Sequence, residues 1–150
     1  MDYTTLRHGD ELVVGPLTGV RFWTYDRNLK IASWQWFHVW TPSRPTVASD
    51  AHPHVPGRGI NVYKTQADAL RGSAEAIRSL EDMLGCWCER ECGIVLGQVE
   101  FWGEVYEHEF GYTAEIVRPT KFLRAWGARA ADVPGELNAI WFPILPRAIA

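Results

Sequence analysis

Residues 93–119 read GIVLGQVEFWGEVYEHEFGYTAEIVRP, and over 93–107 the pattern has a period of two. Val95, Val99, Phe101 and Val105 fall on one side, with Gly97 and Gly103 in the same register. Glu100, Trp102, Glu104 and Tyr106 fall on the other. Successive Cβ atoms of a strand project to opposite faces, so this alternation predicts a long strand buried on one face. The glycines inside it mark a bulge or tight bend. EHEFG, residues 107–111, supplies a turn, and YTAEIVR, residues 112–118, returns as the partner strand, closed by Pro119. The expected object is an antiparallel hairpin with Glu107, His108 and Glu109 at its tip and Gly111 in a left-handed conformation.

A strand with one apolar face needs a cover, and the rest of the chain offers candidates. TGVRFWTYD, residues 18–26, reads as a strand, with Asp26, Arg27 and Asn28 as turn residues. LKIASWQWFHVW, residues 29–40, reads as its return strand, ended by Pro42 and Pro45. Residues 41–59 hold four prolines and two glycines and read as a loop, and INVY, residues 60–63, as a short strand. Thr65 and Asp68 fit a capping box. Leu70, Ala74, Ile77, Leu80 and Leu84 follow at steps of three and four, so a helix is predicted over about 65–84, with Gly85 as its stop. The closing stretch ELNAIWFPILPRAIA is apolar but carries two prolines, which excludes a regular long helix. It is expected to pack along the body or against a partner.

A chain of 150 residues is one ordinary domain, able to bury a core without disulfide or metal staples. The fold class expected is α+β: a bent antiparallel sheet or small open β-barrel with the one main helix packed on it. A net charge of −3 provides no footprint for duplex nucleic acid and no basic run for a membrane surface. The first residues have no apolar core of a signal peptide, and no apolar run reaches membrane-spanning length, so a cytoplasmic location is expected. Three cysteines, an odd number, suit a reducing compartment.

Eight tryptophans are the compositional outlier. They admit two readings: packing in and across strands, or an aromatic surface for a partner. The partner face would draw on Trp34, Trp36, Phe37, Trp40 and the apolar C-terminal stretch. The acids of the hairpin also admit two readings. Glu104, Glu107, His108, Glu109 and Glu115 are the polar face and tip of a hairpin. Alternatively, Trp102, Glu104, His108, Tyr112 and Glu115 line a pocket for a small ligand or for acid–base catalysis. That second reading requires a cavity, which a hairpin tip ordinarily lacks.

Other chemistry is thin. Cys86, Cys88 and Cys92 form C-x-C-x3-C, which is not a standard zinc spacing. Asp50, His52 and His54 alternate in the proline-rich loop and are expected to be solvated. There is no nucleophile elbow, Walker loop or dinucleotide fingerprint. No catalytic set, metal or cofactor is therefore expected, and a protein partner is.

Two stretches carry a resemblance. HVPGRGINVYKTQADAL (residues 54–70) and GQVEFWGEVYEHEFGYTAEIVRPTKFL (97–123) resemble a family of small uncharacterised proteins of actinobacteria and their phages. Its members carry C-x-C-G-I-Y-A-x-K and then G-x-V-x-L-W-G-x-V-x-E-H-E-x-G-x-R-A-E-x-A-x-P. Ile60, Tyr63, Lys64, Trp102, Gly103, Glu107, His108, Glu109, Gly111, Tyr112, Ala114, Glu115 and Pro119 match. With GPLTGVRFW upstream, the likeness covers roughly residues 15–123. The family's C-x-C stands here as Gly57, Arg58 and Gly59. The resemblance implies an actinobacterial or phage setting, in keeping with twelve arginines to three lysines, and implies no particular activity.

Overall fold

A computed structural model describes residues 4–7, 12–33, 38–42, 44–51, 59–87 and 93–143, with side chains left out at 4–7, 12–14, 76 and 79–87. In order, the elements are β1 (Thr4–Arg7), β2 (Leu12–Val14), β3 (Leu17–Tyr25), β4 (Ile31–Ala32), β5 (Thr46–Val47), α1 (Ala48–Ala51), β6 (Ile60–Tyr63), α2 (Gln66–Trp87), β7 (Gly93–Glu107), β8 (Gly111–Gly127) and α3 (Val133–Trp141). The fold is α+β. All eight strands join one sheet that is antiparallel except where β1 runs parallel to β7.

The β7–β8 hairpin is the spine, laddered from Gly93 opposite Gly127 to Glu107 opposite Tyr112. Each of its strands has a second edge to satisfy. Along β7, the first half pairs with β3 (Tyr25 opposite Gly93 through Leu17 opposite Phe101) and the distal part pairs with β1 (Thr5 opposite Gly103). Along β8, β6 pairs near the tip and β5 next to it, at Ile116 and Val117. β6 also touches β3 through the pair Val20–Tyr63. The pairings thus run β7–β3–β6–β8 and back to β7, through a seam one pair wide. Three register shifts between β7 and β8 supply the bending that brings the sheet round.

The interior of that bend is the main core. It holds Trp23, Tyr25, Ile31, Trp40, Val95, Val99, Phe101, Val105, Val117 and Phe122, closed at one end by Val133, Leu137 and Trp141 of α3. The aromatic rings meet edge to face: Trp23 with Trp40 at 5.4 Å, Trp23 with Phe122 at 5.5 Å and Phe122 with Trp141 at 5.7 Å. The packing account of the tryptophans therefore holds where side chains are described: Trp23, Trp40, Trp102 and Trp141 are buried and Trp126 is half-buried.

The opposite face of the sheet is covered where α2 lies. Ala69 packs with Val20 and Leu96, and Ile77 with Ile94, while Phe22, Leu70 and Trp126 fill between them. The start of β7, residues 93–97, is consequently buried on both faces, where the sequence pattern indicated one. Thr65 caps α2 as expected: the Asp68 N–H donates to Thr65 Oγ1 at 3.1 Å and the Thr65 hydroxyl returns to Asp68 Oδ2 at 2.9 Å.

Several boundaries differ from the sequence reading. The helix passes Gly85 and ends at Trp87, because a glycine weakens a helix without stopping it. The return strand expected over 29–40 shrinks to Ile31–Ala32 plus the bridge Ala32–Val39; residues 34–37 lie outside the described residues. The loop 41–59 contains β5 and the single turn of α1. Pro119 does not close the second strand, which runs on to Gly127. A proline lacks only its own N–H, and Pro119 stands beside a register shift. β1 and β2 had no counterpart in the reading. The first part of the C-terminal stretch, Glu136–Trp141, belongs to α3, which begins with Pro134 in its first turn, where a missing N–H costs nothing; residues 144–150 lie outside the described residues.

Candidate functional site

At the hairpin tip, the structure assigns the polar groups to holding the ribbon together. Between Trp102 and Val105 the ladder shifts register, and Gly103 takes φ +83°. A Cβ there would press on the Glu115 side chain. With that space open, Glu115 Oε2 accepts the Glu104 N–H at 3.3 Å. The Tyr106 hydroxyl donates to Glu104 Oε1 at 2.6 Å, and this bond to a carboxylate raises the phenol's pKa above its ordinary value. Glu107 pairs with Lys64 at 3.1 Å, and the Lys64 ammonium lies over the Tyr112 ring. His108 Nε2 bonds Thr113 Oγ1 at 2.7 Å, while the His108 N–H donates to Gly111 O.

Gly111 is not left-handed: positive φ among the described glycines falls at Gly15, Gly103 and Gly127. Its need for a bare Cα is steric, since a Cβ would run into the carbonyl oxygen of Val62 on β6. The tip is docked there as well by the Lys64 N–H donating to Phe110 O at 3.1 Å.

Glu104, Tyr106, Glu107, His108, Glu109 and Glu115 are all exposed on this ribbon. Trp102 is 3% exposed, with the Arg118 guanidinium over its ring at 5.6 Å. The five residues expected to line a pocket are therefore divided. Glu104 and Glu115 meet through a backbone N–H, His108 turns to Thr113, Tyr112 sits against Phe101 and Lys64, and Trp102 is sealed under Arg118.

The aromatic partner face fares differently. Trp34, Trp36 and Phe37 lie outside the described residues. Trp40 does not belong to an exposed face: it is 3% exposed, its indole N–H donates to Ser33 Oγ at 2.8 Å, and the Arg21 guanidinium sits 5.2 Å above its ring. Arg21 also donates to Asn61 O and Ser33 Oγ, and its Nε has no partner. Loss of hydration lowers the Arg21 pKa to about 10, with Tyr63 working the other way, so it remains a cation near neutrality. Cys88, Cys92, His52 and His54 and the Cys86 side chain lie outside the description, and Asp50 is exposed on α1. Among the described residues no three His, Cys, Asp or Glu side chains gather around one point.

Among the described residues a concavity lies elsewhere. Pro42, Arg44, Pro45, Arg118, Pro119, Thr120, Trp141 and Phe142 line a groove of about 390 Å³. Its floor is a stretch of β8 that pairs with β7 on one edge and, among the described residues, with no strand on the other. β5 pairs no further than Val117. At Phe122 the edge is taken by α3: the Phe122 N–H donates to Asn138 Oδ1 at 2.8 Å, and the Asn138 amide donates back to Phe122 O at 3.0 Å. Asn138 thereby imitates a neighbouring strand and fixes α3 against the sheet.

Between these flanks, Val99 faces Pro119 and Gln98 faces Lys121, so Thr120 is the extra residue of a bulge. The walls are the loop 42–45 and the end of α3, where Phe142 stacks on Phe122 at 6.1 Å and remains 38% exposed, next to Ile140 at 49%. Arg118 is oriented by Glu100, whose Oε2 accepts from Nε at 3.0 Å and Nη2 at 2.7 Å. The sequence reading missed the groove because three distant segments build it. Its one trace was the apolar C-terminal stretch.

No family model, curated protein or solved structure matches the chain.

Proposed function

We propose that this chain is a non-enzymatic binding protein that docks a segment of another protein in the groove between β8, α3 and the loop 42–45. The observation that supports this most is the groove's makeup: three prolines, Trp141 and an exposed Phe142 around a cleft of about 390 Å³. Rigid apolar rings lose little conformational freedom on binding and are typical anchors of protein interfaces. The carboxylates that suggested catalysis are instead spread over an exposed ribbon. Glu104, Glu107 and Glu115 are engaged in holding the hairpin and its neighbours.

With the resemblance to actinobacterial and phage proteins, the reading becomes an accessory factor that acts on a host protein in the cytoplasm. The test is a pull-down from host lysate, read by mass spectrometry for proteins and small molecules, with wild type, Phe142→Ser and His108→Ala. One protein captured by wild type and His108→Ala and lost with Phe142→Ser is expected. Capture that survives Phe142→Ser and fails with His108→Ala would move the site to the tip and refute the proposal.

A further inference from the structure

We infer that the groove selects an extended segment carrying an acidic side chain beside an apolar one; this rests on the groove being the docking site. The first support is charge. Among the described residues two guanidinium groups line the groove and no carboxylate does, in a chain whose net charge is −3. The positive lining is thus a local departure from the molecule's overall sign, which is how a surface favours an anionic partner. The two arginines differ. Arg118 is held against Glu100 and over Trp102, so its charge is already balanced. Arg44 is exposed, and no carboxylate among the described residues pairs with it. Arg44 is therefore the residue that reads the partner's acid.

The second support is the backbone edge beneath. A partner strand cannot simply add to β8 here. Pro119 has no N–H, Thr120 is bulged, and β5 and Asn138 occupy the flanks. Main-chain pairing would be blind to side chains; with it blocked, selection falls to the side chains the groove contacts. The volume sits at the low end of ligand clefts, suited to one or two side chains and too small for a helix. An apolar side chain fits among Pro42, Pro119 and Trp141, and a carboxylate one or two residues away reaches Arg44 at the rim.

The experiment uses the full chain and acetylated, amidated hexapeptides built around Leu or Phe, flanked by Asp or Glu, by Asn or Gln, or by Lys. Affinity is read by fluorescence polarisation. The acidic peptides are expected to bind about fivefold tighter than their amide isosteres, the upper range for an exposed ion pair. Added salt should shrink that ratio. Arg44→Gln should abolish the preference and Arg44→Glu should turn it toward the Lys peptides. Thermal melts check that these exposed substitutions leave the fold intact.

Equal affinity for acid and amide, or a preference unmoved by Arg44→Glu, overturns the inference. If all apolar peptides bind regardless of charge and Phe142→Ser abolishes binding, the groove reading stands and charge selection falls. If no peptide binds, the inference is refuted, and the pull-down alone then judges the groove.

Discussion

The two halves of the β7–β8 hairpin behave in opposite ways. The distal half carries the residues that look like chemistry: Glu104, Tyr106, Glu107, His108 and Glu115, within a dozen positions of one another. Its polar side chains lie on an exposed face and bond one another or Lys64 and Thr113. Around the middle of β8 the residue types are plain: Arg118, Pro119, Thr120. There the sheet has an uncovered edge, and α3 and a proline loop rise on either side to form a cleft. The contrast teaches that reactive residue types and concavity are separate properties. A dense cluster of acids on the exposed face of a sheet gains no walls from the described residues around it, whereas a cleft needs segments that meet from far apart in sequence.

That contrast can be attacked at both ends, and the largest effect belongs to the groove's support. Leu137 of α3 is fully buried. Leu137→Ala should cost about 2–5 kcal/mol in denaturant unfolding. A cost near zero would mean that α3 is not part of the core and that the cleft has no fixed wall. Asn138→Ala leaves the Phe122 N–H and C=O without their partner, and should cost about 1–3 kcal/mol and weaken partner capture. Retention of both stability and capture would show that α3 is positioned without this clamp.

On the distal half, Gly111→Ala should destabilise by about 1–3 kcal/mol, because the new methyl meets the Val62 carbonyl and pushes the tip off β6. An unchanged denaturation midpoint would disprove that close approach. His108→Ala removes an exposed side chain with one local bond, and its melt should shift by no more than about 0.5 kcal/mol with partner capture intact.

The smallest effect is electrostatic. Tyr106 donates to Glu104, so its folded-state pKa is raised. The stabilisation from this bond is fully present below the phenol's ordinary pKa and is lost as pH rises through the raised value. Glu104→Gln should bring the Tyr106 titration back toward the ordinary value, followed by ultraviolet absorbance against a Tyr106→Phe control. No difference would dissociate the two side chains.

Legibility followed the reach of the interactions. The strand Gly93–Glu107 was readable because Val95, Val99, Phe101 and Val105 repeat every second residue, and the start of α2 because Thr65 and Asp68 are three apart and bond directly. INVY was readable as a strand with its boundaries. Pro119 and Gly85 mislead because each reads as a stop on local grounds, while the long pairing with β7 carries β8 onward and a long helix absorbs the glycine. Gly111 misled in a further way. A glycine after a turn suggests a special φ, but here its bare Cα makes room for another strand's carbonyl.

What the sequence determined by itself was the inventory of local elements: an α+β chain, a long hairpin with an acidic tip, a capped helix, and an unusual number of tryptophans with two readings open. These rest on periodicities and caps that span a few residues. Only the tertiary structure decided which faces were buried twice, that Trp40 belongs inside, that Glu115 caps a bulge, and that a cleft opens at the loop 42–45, the strand positions 118–120 and the helix end at 141–142. Nothing in three short segments separated by twenty residues or more encodes their meeting, because the bend of the sheet and the Asn138 clamp that bring them together are themselves long-range contacts.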